Sequence, residues 1–196
     1  MKNLFVGVLS VVMSALPAYE QNKTIQVDFG NSQSLPSGWN NGQGMAKAGA
    51  SISLSTSAGE STNYHLVTRT SFNAVNGNGN NVPVDSLGLP VQATMDSFFG
   101  NTVPFGDGIY SQAAMEVQGL NPNVGYSFNF FASRMAGDGA NRETQYSVIG
   151  ATSSTVYLNP TDNTSKTVTS GTVKPNSSGV IRIESKNGPN SNAPYG

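Results

Sequence analysis

The sequence predicts an all-β protein, an antiparallel β-sandwich, and three observations carry that expectation. No segment beyond residue 18 keeps a helical hydrophobic period over three turns. Short runs rich in β-branched and aromatic residues recur instead, several with apolar side chains at every second position. Clusters of Asn, Gly, Pro and Ser separate them. Many short strands with turn signals between them are the pattern of a sandwich or barrel. The chain of 196 residues is long enough for one domain with a full core.

Taken in order, the first element is a leader. Lys2 supplies a positive start, Leu4 to Leu16 an apolar stretch, and Leu16-Pro17-Ala18 a small-residue end before Tyr19. That is the layout of a secretory signal peptide. The stretch is shorter than the roughly 18–20 residues of a spanning helix, and no other run is long or apolar enough to cross a membrane. Residues 1–18 are therefore expected to be removed on export, leaving 19–196 as a single domain. Within it the pattern predicts strands at Thr24–Phe29, Ala50–Ser55, Tyr64–Phe72, Gln112–Val117, Tyr126–Arg134, Thr144–Ile149, Thr155–Leu158, Lys166–Val173 and Val180–Glu184. Tyr126, Phe128, Phe130 and Ala132 share one face, with Ser127, Asn129 and Phe131 on the other; Ile181 and Ile183 oppose Arg182 and Glu184. Asn76–Asn81, Asn121-Pro122-Asn123 and Lys174-Pro175-Asn176 read as loops and turns. The chain ends at 187–196 on a loop composition. A sandwich ordinarily finishes on a strand that closes a sheet, so the last strand is expected to be missing and the domain truncated at its C-terminus.

Composition narrows the function. There is no cysteine, which excludes disulfides, a thiol nucleophile and lipid attachment through a cysteine. Charged residues are 11% of the chain, against roughly 25% in typical soluble domains, and the net charge of −1 leaves no basic footprint for nucleic acid. Polarity comes from 25 Ser, 22 Asn and 15 Thr. Such a neutral polar surface suits an extracellular protein and hydrogen bonding to neutral ligands such as sugars.

Catalytic motifs are not apparent. His65 is the only histidine and sits inside a strand pattern, where a structural or solvent-facing role is expected. Gly106-Asp107-Gly108 and Gly137-Asp138-Gly139 are turns with no serine after them, and there is no Gly-x-Ser-x-Gly elbow. Glu60, Asp96, Glu116 and Glu143 form no convincing carboxylate pair for glycoside hydrolysis. One histidine without cysteine leaves zinc unsupported. Structural calcium needs only oxygens, and Asp28, Asn78, Asn80 and Asp85 are its candidate ligands. Trp39, among Gly and Asn, reads either as a sugar-stacking platform or as a plug at one end of the sandwich. Arg134, Arg142 and Glu143 flank the Gly-rich loop Ala136–Ala140. They form either a polar recognition site, where arginine forks grip oxygens, or an Arg–Glu clamp that fixes the hairpin.

A resemblance joins these segments. Val27-Asp28-Phe29-Gly30 with Gly38-Trp39-Asn40-Asn41, then Asp96-Ser97-Phe98-Phe99, Gly119-Leu120-Asn121-Pro122, Phe131-Ala132-Ser133-Arg134 and Asn141-Arg142-Glu143-Thr144 follow one another over nearly all of the chain beyond the leader. In that order they resemble an accessory domain of secreted Bacteroidetes proteins, similar to galactose-binding-like jelly rolls. Such domains occur beside SGNH (GDSL-type) hydrolases and other carbohydrate-active modules. The resemblance implies a jelly-roll sandwich and a secreted, non-catalytic accessory module, with an attached catalytic domain as a partner; a glycan partner is the expectation from the neutral polar surface. The alternatives are a structural or adhesion domain of the cell envelope, and the N-terminal part of an SGNH-type esterase.

Overall fold

The alternating apolar runs become strands in a computed structural model that describes residues 8–14, 23–31 and 34–196. Among the described residues there is no α-helix, only two single-turn 3₁₀ segments, Asp85–Leu87 and Val91–Ala93. The strands are β1 (Val8–Ser14), β2 (Thr24–Asp28), β3 (Trp39–Asn41), β4 (Ser51–Ser55), β5 (Ser61–Thr70), β6 (Ala74–Asn76), β7 (Ser97–Phe99) and β8 (Asn101–Phe105). They continue as β9 (Gly108–Tyr110), β10 (Gln112–Gln118), β11 (Gly125–Phe131), β12 (Thr144–Ile149), β13 (Ser153–Leu158), β14 (Val168–Thr169) and β15 (Ile181–Asn187).

Two sheets dominate, and the architecture is all-β and sandwich-like. A six-stranded antiparallel sheet runs β13-β12-β15-β10-β5-β4, and a five-stranded sheet runs β14-β11-β1-β2-β3. One pair departs from the antiparallel expectation: β2 and β3 run parallel, with Gln26 opposite Trp39. The inward faces share one core. Ile25, Val27, Tyr126, Phe128 and Phe130 from the five-stranded sheet meet Leu66, Val117, Tyr146, Val148, Ile181 and Ile183 from the six-stranded one. Phe130 stacks on Tyr146 at 4.4 Å between ring centroids and 6° between planes, so one ring pair joins the two sheets.

β11 is buried on both faces, where alternation suggested only one. Ser127, Asn129 and Phe131, its second face, are all at most 6% exposed. A separate cluster of Val84, Leu89 and Ala93 packs on Phe131, with Trp39 and Leu87 against it. The segment through both 3₁₀ turns thus forms a cover over the outer face of the five-stranded sheet. The expected strand at Lys166–Val173 is shorter for a visible reason. After Val168–Thr169 the Ser170 hydroxyl accepts from Phe128 N, taking the place of a ladder carbonyl, and regular pairing resumes only at Val173 opposite Tyr126. Of the expected leader, residues 1–7 and 15–18 lie outside the described residues. Val8–Ser14 forms β1, antiparallel to both β2 and β11.

Candidate functional site

A cavity of about 390 Å³ opens where β11 ends and β12 begins. Aromatic rings dominate its lining: Phe29 just past β2, Phe72 past β5, Phe98 and Phe99 of β7, Phe105, Tyr146 and Tyr195. The rings brace one another. Phe98 lies 5.5 Å from Phe29 and 5.3 Å from Phe72, and Tyr195 packs edge-on against Phe99 and Phe105 at 6.3 and 5.5 Å. Edge-to-face contacts of this kind fix ring orientation beyond what area burial does. Between the rings stand polar groups from other elements, among them Asn76, Ser133, Arg134, Arg142 and Thr144.

Arg134 is held from both ends. Its backbone N–H donates to Pro160 O, its carbonyl accepts from Asp162 N, and its Nη1 donates to Asn76 Oδ1 at 2.7 Å. Among the described residues no carboxylate lies within ion-pair distance of it, so its positive charge stands at the cavity without a counter-charge. Arg142 differs. Its guanidinium forks onto Asp138 on the Gly-rich loop, with Nη1 to Oδ1 at 2.9 Å, and also reaches Thr161 Oγ1. The Arg142 guanidinium, through that hydrogen bond first, holds the Asp138 carboxyl well below the usual carboxylate range. Glu143 takes no part in this. It accepts from the Asn190 backbone N–H at 3.0 Å and from the Asn190 amide at 3.1 Å, and it does not line the cavity. The expected Arg–Glu clamp is therefore not the pairing that forms. Arg142 and Glu143 immediately precede β12, and the Gly-rich loop offers Arg142 an acid of its own while Glu143 turns to Asn190.

Trp39 also lies elsewhere. Half-buried, it packs on the cover over the outer face of the five-stranded sheet and does not line the cavity. Gly38 before it has φ +88°, and a Cβ there would stand 2.3 Å from Ser57 O, so the turn into Trp39 requires glycine. His65 is exposed, with Ser53 Oγ 3.4 Å from its Nδ1. Glu60 pairs with Lys23 at 3.2 Å, and Glu116 with Arg69 at 2.7 Å.

The set Asp28, Asn78, Asn80 and Asp85 is not what the structure gathers. Asn80 spends its side chain on Val82, accepting from Val82 N and donating to Val82 O, and the Asp85 side chain is outside the described residues. No three His, Cys, Asp or Glu side chains converge among the described residues. Asp28 instead meets Asp96, which follows the cover segment. Asp28 is fully buried, and neither of its carboxylate oxygens accepts a hydrogen bond from the described residues. Asp96 Oδ2 accepts from Asn31 N at 2.7 Å, while its Oδ1 is buried and unpartnered. Burial, and then the charge of Asp96, pushes the Asp28 carboxyl up to about 8. Burial raises Asp96 as well, against the Asn31 N–H that lowers it.

The rings at the cavity are what the sequence reading missed. Phe98 and Phe99 carry part of the resemblance, yet β7 has only three residues, and β8 is interrupted by Pro104. Aromatic residues recurring between Phe98 and Tyr110 were the available signal. Comparison with protein-family models, with curated proteins and with solved structures gives no match for this chain.

Proposed function

We propose that the protein is a secreted, non-catalytic accessory module of jelly-roll, galactose-binding-like type that binds a saccharide in the cavity beside Arg134. The observation that carries this reading is the meeting, in one cavity of about 390 Å³, of aromatic faces with an arginine free of any carboxylate partner among the described residues. Sugar C–H faces pack on aromatic rings, and a guanidinium fork binds hydroxyl or carboxylate oxygens in fixed geometry. The volume falls within the roughly 300–1,000 Å³ of small-molecule sites. No Asp or Glu stands among the described residues of the lining, which favours recognition over acid–base hydrolysis.

The test is a glycan array on the purified domain, followed by calorimetry with the best hit. Arg134→Ala and Phe99→Ala are each expected to weaken binding at least tenfold. Arg134→Ala should melt close to the parent, because no buried counter-charge is orphaned. The same domain should leave acetyl esters and aryl glycosides uncleaved. Absence of binding on the array, or turnover that disappears with His65→Ala, would reject the proposal. One observation favours a structural role for a different part of the molecule: Trp39 packs against the cover.

A further inference from the structure

The cavity leaves unexplained a costly polar arrangement, the buried carboxylates of Asp28 and Asp96. Three carboxylate oxygens, Asp28 Oδ1 and Oδ2 and Asp96 Oδ1, are buried without a hydrogen-bond donor among the described residues. Buried carboxylates are ordinarily hydrogen-bonded, paired with a cation or bound to a metal. The fold makes room for this pair deliberately. Gly30 lies against Asp96, and a Cβ at Gly30 would stand 1.7 Å from Asp96 Oδ1. Among the described residues neither acid has an arginine, lysine or histidine partner.

We propose that Asp28 and Asp96 hold a calcium ion between the end of β2 and the cover segment. The donors on the page are all oxygens, with no histidine or cysteine among them, which selects a hard cation. Calcium accepts six to eight oxygens in flexible geometry, so two carboxylates can be completed by backbone carbonyls and water. The ion would have a definite structural task. Asp28 immediately precedes Phe29, and Asp96 immediately precedes Ser97-Phe98-Phe99, so it would tie together two chain segments that line the cavity. The inference does not depend on what the cavity binds.

Calcium binding can be read directly on the whole domain. Calorimetry with calcium chloride after EDTA treatment should show one ion per chain. The melting temperature should rise by roughly 5–10 °C at calcium a hundredfold above Kd. Asp28→Asn and Asp96→Asn should each lower affinity at least tenfold, while Glu60→Gln, at an exposed acid, should not. If one of the Asp variants fails to fold, the other and the wild-type calorimetry decide. No heat and no melting shift in the wild type would overturn the proposal and leave a pair that shares a proton. Equal loss in Glu60→Gln would also overturn it, by showing nonspecific surface binding.

Discussion

In calcium-free buffer the domain is expected to lose stability as pH rises from about 4 to about 8, by up to about 5 kcal/mol. The cause is Asp28. In the unfolded chain its carboxyl ionises near 3.8, whereas in the folded protein burial and the neighbouring Asp96 carry it up to about 8. Between those values the folded state holds a proton that the unfolded chain has released. The unfolded chain binds fewer protons, so stability falls with rising pH across that window and levels off below and above it. Asp96, raised in the same direction, adds to the slope. Urea unfolding at a series of pH values in EDTA checks this. Asp28→Asn should flatten the slope, because an amide does not titrate, and a slope unchanged by that substitution would show that Asp28 is not its source.

Truncation of Phe130 to alanine is expected to cost about 3–5 kcal/mol, the range for a buried aromatic residue. Phe130 is fully buried and stacks on Tyr146 across the two sheets, so its loss removes transfer energy and also opens a cavity at a ring stack between layers. Its neighbours are held by strand pairing on both sides and have little freedom to collapse into the gap. Phe105→Ala is the matched control. Phe105 is 51% exposed, and its removal should change the unfolding midpoint little while altering the cavity. Equal midpoints for the two variants would contradict the layered core described above.

The core was legible because alternation is a local property. Tyr126, Phe128 and Phe130, or Ile181 and Ile183, declare a buried face within a single strand, whatever lies across from it. What covers the other face is not local. Nothing near Phe131 indicates that Val84, Leu89 and Ala93 will lie on it, and a run broken by Pro83, Gly88 and Pro90 reads as plain loop. The same limit applies to Asp28, a candidate calcium ligand in the sequence whose coupling to Asp96 only the fold brings out. Arg134, Arg142 and Glu143 stand out in the sequence as a concentration of charge. Their partners were not legible, because Asp138 competes for Arg142 from a loop and Asn190 claims Glu143 from the far end of the chain. The short strands β6 to β9, with three to five residues each, carry too few positions for a period to show.

Asn101 closes a hairpin that contributes Phe105 to the cavity wall. Fully buried, it donates to Val103 O and Gly108 O and accepts from the Asn73 amide and from Tyr110 N, closing the β8–β9 hairpin on itself. That hairpin belongs to neither large sheet; Gly100 N and Thr102 N donate to the carbonyls of Gly196 and Pro194, the Asn73 amide donates to Phe105 O, and Lys47 reaches Asp107 and the Tyr110 ring from its exposed side. Small units with few ties of this kind open without unfolding the rest. In amide hydrogen exchange, 101–110 should therefore lose protection together and well before β10, β11 and β15. Phe105 rides on this hairpin, so the rate of its opening would set how fast anything enters or leaves the cavity.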